Sequence, residues 1–310
     1  MHPGVKLIGI AVALVLVAGP LLLGLTGLIC ARRAPAEAPE PARPWTWKLT
    51  INSALLYALA FNLTFFIQEL FLVLPKALTP GLHPTLFHNN HSWQGDNPLA
   101  SLFQGTGALA IFLTGLAGAL FLRCRPGRSS TVRLFFIWMT YNGFFQSLPQ
   151  VVIGAVSPSG DVGMALSYLG LGSTAKTVTA LVALATIPAT ALWLRRPVLS
   201  LAEDPAFVAS ARARTRFVLR VATLPALTAI LLIIPFRVPR EFVEVVLVPV
   251  VVTVIGIAWL QAGAWNVSAV PSGDGPGSGP AATSIAYPLG ALLILLLVFH
   301  LLLRPGIRFY

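Results

Sequence analysis

The residues best suited to chemistry lie in one stretch, Phe65 to Pro98, which reads FFIQELFLVLPKALTPGLHPTLFHNNHSWQGDNP. Three of the chain's five histidines, His83, His88 and His91, fall within nine residues of it. His88-Asn89-Asn90-His91 has HxxH spacing, and two imidazoles three apart on a helical turn share a face on which one metal ion fits. Neutral imidazole nitrogens suit zinc, copper, iron or nickel, and zinc is the expected ion. Glu69 precedes them inside an apolar run. It stands five residues before Leu74, roughly 7–8 Å inside the helix end at about 1.5 Å per residue. A carboxylate at membrane depth is costly, so it must be paired, protonated or bound to metal. Lys76 and Lys176 are the candidate ion-pair partners; the functional alternative makes Glu69 a metal ligand or a catalytic base. The expected metal set is Glu69, His83, His88, His91, Asp96 and Asp161. Against it stands a plainer reading, a polar loop whose histidines bond water. Asp161, between Pro158, Ser159 and glycines, reads first as a turn aspartate.

Asn142, Gln146 and Gln150 recur every four residues and form a polar stripe on one helix face. With Gln68, Gln104 and Lys176 they are expected to line a cleft beside Glu69; hydrogen bonding between helices is the alternative use of the same side chains. Trp93 fits the interfacial aromatic belt.

The elements that must position these residues follow from composition. The chain is 56% hydrophobic and only 10% charged, with a mean hydropathy of +0.81. A soluble domain carries about 25% charged residues, so a soluble enzyme, a disordered chain and a disulfide-stapled domain are excluded. Eight spans of about 20 apolar residues are expected, at 7–30, 50–73, 99–122, 134–156, 175–194, 217–236, 242–263 and 284–303. They form an all-α, polytopic transmembrane helical bundle, one domain over 1–310, whose partner is the lipid bilayer. Residues 31–48 read as an Ala/Pro-rich linker and 74–98 as an outer, His-rich loop. The first span is too long for a signal-peptide core and its positive residues, Arg32 and Arg33, follow the run; it reads as retained, with its N-terminus outside. The net charge of +11 belongs to clusters between spans, where it sets orientation instead of recruiting nucleic acid. Of 21 Lys and Arg, 14 fall on the expected inner side: Arg32, Arg33, Arg43, Lys48, Arg123, Arg125, Arg128, Arg133, Arg195, Arg196, Arg212, Arg214, Arg216 and Arg220. The pattern fails at the end, because 264–283 has no positive residue while the tail has Arg304 and Arg308. Either the tail is cytoplasmic with one late segment re-entrant, or the charge rule is weak there. Gly105, Gly107, Gly115 and Gly118, and Gly170 with Gly172, mark places for close helix packing. The expected location is the bacterial cytoplasmic (inner) membrane.

The plan resembles the site-2 class of intramembrane metalloproteases, in which a helix carries HExxH and a later Asp-Gly-type segment supplies the third zinc ligand. The matching features are Glu69 in Gln68-Glu69-Leu70 and Asp161 in Gly160-Asp161-Val162-Gly163. The histidines of that motif are replaced by Gln68 and Leu72, so a zinc ion here would have to use His88 and His91.

Three functions remain open. The first is a metal-dependent hydrolase with Glu69 as a catalytic residue, acting on a membrane-associated lipid or peptide through an outward-facing site. The second is a transporter or permease using Glu69 and the polar stripe. The third is a non-catalytic scaffold whose outer loop binds a partner.

Overall fold

A computed structural model describes residues 3–33, 45, 47–125, 129–267 and 284–310. Most of the expected linker, 34–44, and the segment 268–283 lie outside the described residues.

All eight expected spans are helices. They are α1 (Pro3–Arg33), α2 (Trp47–Ala77), α3 (Leu99–Cys124), α4 (Ser130–Val156), then after the short α5 (Asp161–Tyr168) come α6 (Ser173–Leu199), α7 (Ala211–Arg237), α8 (Val243–Ala262) and α9 (Ala286–Leu303). Seven are long and apolar enough to cross a membrane, and the chain is an integral membrane protein. The eighth, α4, is 27 residues long, about 40 Å at 1.5 Å per residue. It is more polar because it lies at the centre of the bundle, touching α2, α3, α5, α6 and α8. Trp138, Tyr141 and Phe145 from α4 are fully buried there. α1 to α4, α6 and α7 extend past the expected span limits because backbone hydrogen bonding continues beyond the apolar run, whereas α8 and α9 stop one or two residues inside them.

The small residues of α3 do pack closely. A Cβ on Gly143 of α4 would stand 2.5 Å from the Cα and N of Gly115, and one on Gly107 would stand 2.7 Å from the Leu72 side chain. Gly170 and Gly172 have open space around them. Gly170, at φ +64°, serves the turn between α5 and α6, where a left-handed backbone suits glycine.

The helices alternate in direction. Trp259 of α8 donates to Val15 O at 2.8 Å and Trp265 donates to Leu23 O at 3.2 Å, so α1 runs parallel to α8. The chain's tail adds a strand, β3 (Ile307–Arg308), to a hairpin of β1 (His83–Leu86) and β2 (His91–Gln94). Both described termini therefore lie at the hairpin end, and the tail belongs there with Arg304 and Arg308. The re-entrant late segment is not needed: α9 runs the full way to the hairpin. The arginine clusters gather at the opposite end, where Arg195 donates to Gly263 O and Arg133 to Ser200 O, cations serving free helix-end carbonyls.

The hairpin corrects the expectation that His88 and His91 share a helical turn. His88 sits in the four-residue turn 87–90, closed by Phe87 N donating to Asn90 O at 2.8 Å, and His91 opens β2 opposite Leu86. A segment this short, bounded by Gly81 and Gly95 and carrying Pro84, cannot nucleate a helix. Gly95 has φ +104°, and a Cβ there would collide with Gly81 O. Alternation does the rest: Pro84 and Leu86 turn down onto the bundle while His83 turns out.

Candidate functional site

α2 carries Glu69 two turns below its end, and the hairpin lowers His91 onto it. His91 Nδ1 lies 2.8 Å from Glu69 Oε2, and both side chains are more than nine-tenths buried. On the other side of the ring, His91 Nε2 lies 3.1 Å from Gln104 Oε1 of α3. Gln104 Oε1 also accepts from Lys76 Nζ at 3.1 Å, and Lys76 donates to Leu72 O at 2.8 Å. An ammonium only donates, which fixes Gln104 Oε1 as an acceptor and requires a proton on His91 Nε2. A bare Nδ1 lone pair facing a bare carboxylate oxygen at 2.8 Å would be repulsive. One further proton therefore lies between Nδ1 and Oε2, whichever atom carries it. The pair is a held proton in a buried ion-pair geometry. Trp93 closes it from above, its ring near-parallel to His91 at 5.8 Å and under the Lys76 ammonium at 4.5 Å.

Glu69 Oε1 takes no hydrogen bond among the described residues, and Glu69 lines a cavity of about 560 Å³. His91, Gln68, Gln146, Gln150 and Asp161 line it too. Asp161 is therefore more than a turn residue. It opens α5 and lies within electrostatic reach of His91, Glu69 and Lys76; burial raises its carboxyl above the usual aspartate value, with Glu69 adding to the rise. The expected polar stripe is a ladder: Gln150 donates to Gln68 Oε1 at 2.7 Å, Gln146 to Asn142 Oδ1 at 3.3 Å, and Asn142 to Trp138 O at 3.0 Å. Its upper rungs line the cavity, whereas Asn142 lies below it and Gln104 behind His91.

The other expected residues go elsewhere. His88 is buried but turned away from Glu69; its Nε2 donates to Val238 O at 3.2 Å and its ring stands 5.4 Å from that of His300. Its pKa is lowered, chiefly by burial, with His300, Arg304 and Arg237 adding to the effect. His83 and Asp96 are exposed, His83 against Tyr310. Lys176 does not line the cleft: its ammonium reaches Ser167 Oγ at 3.5 Å. Lys76, offered as a direct partner of Glu69, forms no ion pair with it among the described residues; its hydrogen bonds run through Gln104 to His91, and Glu69 acts on it only at a distance. Among the described residues no three His, Cys, Asp or Glu side chains come together to hold a metal ion. The two residues that carried the metalloprotease resemblance, Glu69 and Asp161, do share the cavity, but His88 does not join them.

No protein-family model, curated protein or solved structure matches the chain. The site has to be read from its own chemistry.

Sequence reasoning missed one principal residue. Arg237, the last residue of α7, is 3% exposed and lines the cavity. In the sequence it is one of the seven positive residues left on the outer side. Its signal was its place at the end of an apolar run, on the same side as Glu69 and of opposite sign. Asn89 in the hairpin turn donates to Arg237 O at 2.8 Å, so the same turn that aims His91 also fixes the arginine.

Proposed function

We propose that this integral membrane protein is a membrane hydrolase that takes a membrane-associated substrate into the cavity at its hairpin end, with Glu69 as the general base. The observation that carries this reading is the division of labour at one carboxylate. Glu69 Oε2 is engaged by His91 at 2.8 Å, while Oε1 is left to the cavity. A base must be held in position and still reach the proton it removes. Glu69 Oε1 accepts a proton from a water or a substrate hydroxyl, and His91, itself oriented by Gln104, steadies the carboxylate. The hairpin end is the outward one: among the described residues, 12 of the positive side chains belong to the opposite end, which suits the bacterial inner membrane under the positive-inside rule. A zinc-dependent form of the same chemistry would need a donor beyond Glu69 and His91, and Asp161, which lines the same cavity, is of the right type.

The test is to reconstitute the full chain with a total bacterial lipid extract and follow the lipids by mass spectrometry. Wild type is expected to convert one lipid class, Glu69→Gln to convert none, and His91→Ala to lose most of the rate. An extract left unchanged by wild type would overturn hydrolysis of lipid.

A second reading, proton-coupled transport, is favoured by the ladder from Gln150 to the Trp138 carbonyl. It covers thirteen residues of α4, twelve steps or about 18 Å at 1.5 Å per residue, and leads from the held proton toward the bundle's middle. A pH-sensitive dye inside proteoliposomes separates the two: transport predicts proton flux lost in Glu69→Gln, hydrolysis predicts none.

A further inference from the structure

The cavity's second pole is cationic, and its remaining wall is apolar. Arg237 Nε donates to Glu244 O at 3.2 Å, and its guanidinium lies over the Phe65 ring at 3.8 Å. Its Nη1 is buried with no hydrogen-bond partner. No carboxylate forms an ion pair with Arg237 among the described residues: Glu69 acts on it only at a distance, and Glu244 gives both its oxygens to Arg240, with Arg240 Nη2 at 2.7 Å from Oε1. A buried guanidinium with an unspent donor is costly unless something satisfies it. The charges around the cavity sum to the same conclusion. Arg240 and Glu244 cancel. Glu69 and His91 cancel through their shared proton. Arg237 and Lys76, the latter behind His91, remain against Asp161 on the far wall, and the surplus is positive.

The apolar wall supplies a second, independent observation. Ile153, Val243, Leu247, Val248 and Val251 line the cavity and remain exposed, so in a membrane protein acyl chain is their solvent. The cavity is therefore continuous with the bilayer between α4 and α8, and a molecule can enter sideways with its tail still in lipid.

We propose that the cavity binds an anionic lipid, with the phosphate headgroup on Arg237 and the tail along the Val243–Val251 face of α8. Arg237 donates through the part of its guanidinium that lines the cavity, the planar fork being suited to a phosphate oxygen. The bound headgroup then stands beside Glu69 Oε1. The inference rests on the reading of Glu69 as the acting base, and names the substrate class for it.

Binding is measured directly on the full chain in mild detergent, by calorimetric titration with dihexanoyl phosphatidic acid, dihexanoyl phosphatidylcholine and inorganic phosphate. Phosphatidic acid is expected to bind at least tenfold more tightly than either of the others, because only it offers both an unshielded anion and a tail. Arg237→Gln should weaken phosphatidic acid at least tenfold and leave phosphatidylcholine unchanged. Should Arg237→Gln fail to fold, Arg237→Lys keeps the charge and stem but not the fork, and should weaken it several-fold. Leu247→Trp, which fills the apolar wall, should weaken phosphatidic acid but not inorganic phosphate. Equal binding of phosphatidylcholine overturns the anion site. Inorganic phosphate binding as tightly as phosphatidic acid overturns the lipid and identifies a soluble anion. Undiminished binding in Arg237→Lys together with Leu247→Trp overturns the placement. Glu69→Gln removes a nearby negative charge and should bind phosphatidic acid at least as well as wild type. Loss of the proposed hydrolysis therefore leaves this result intact, and loss of binding in the arginine variants is separable from failure of the base.

Discussion

Glu69 Oε2 and His91 Nδ1 stand 2.8 Å apart, one on a membrane helix and the other on the first residue of a β-strand 22 positions later. Each is buried only because the other is there. The helix would otherwise hide an unpaired carboxylate, and the hairpin would otherwise press an unpaired ring onto apolar side chains. His91→Ala leaves the carboxylate without its partner and should cost about 3 kcal/mol, at the lower end for a broken buried pair. Glu69→Gln keeps an oxygen for His91 and should cost less, about 1–2 kcal/mol. Thermal unfolding in detergent, followed by circular dichroism, measures both. The double variant should cost less than the two single costs added together, because the pair acts as one unit.

Acid should loosen the hairpin through His88. Its folded pKa lies below the ordinary 6.5, with burial as the largest cause. A lowered histidine pKa means that the folded state disfavours the extra proton. The stabilisation is fully present above about pH 6.5 and is lost as pH falls from there through the lowered folded value. His300, Arg304 and Arg237 surround the ring and oppose its charging. Asp161 works in the opposite sense. Its raised pKa gives stability that is complete below the ordinary value of 3.8 and is lost as pH rises through the folded value. Asp161→Asn should therefore stabilise the protein at neutral pH. His88→Asn should flatten the melting temperature between pH 5 and 7. Melting curves across that range check both.

The helix crossing beneath the site is fixed by two glycines. A Cβ on Gly143 would meet the Gly115 backbone at 2.5 Å, and backbone has no rotamer with which to retreat. Gly143→Ala should cost about 2 kcal/mol or more, in the range of an overpacked core, whereas Gly160→Ala, with open space around it, should cost little. Because α4 carries Gln146 and Gln150 to the cavity, Gly143→Ala should also lower turnover. Unfolding and the lipid-conversion assay on the same preparations separate stability from positioning.

The spans were legible because their signal is cumulative: twenty apolar residues cannot be anything else in a chain so poor in charge. Glu69 was legible for the opposite reason, as a single costly exception within such a run. The partnership with His91 was half legible. HxxH drew attention to the right loop but suggested the wrong shape, since spacing along a sequence has no meaning until the backbone period is known. On a helix His88 and His91 share a face; across a tight turn they part, one to Val238 and one to Glu69. Arg237 was hidden by its own plausibility. A positive residue at the end of a span needs no special explanation, and only the absence of a partner for Nη1 distinguishes it from an orientation charge.

Metal content provides the sharpest check on the earlier expectation of a zinc site. Of the six expected donors, only Glu69, His91 and Asp161 face one cavity, and they do not converge as a metal-holding group among the described residues. Zinc in proteins takes four ligands in structural sites and three plus water in catalytic ones. Two of the three side chains here already spend their facing atoms on each other, so a metal would have to displace the shared proton. Untagged protein purified in mild detergent should thus hold well under one equivalent of zinc by elemental analysis, and His88→Ala should not alter the value, because that ring faces Val238 O. A full equivalent lost in His91→Ala but kept in His88→Ala would mean that Asp161 swings onto the pair as the third ligand. Hydrolysis would then run on a metal-bound water, and Asp161→Asn would abolish activity and metal together. With zinc absent, Asp161→Asn should retain activity, because Glu69 Oε1 remains free and His91 still holds the opposite oxygen.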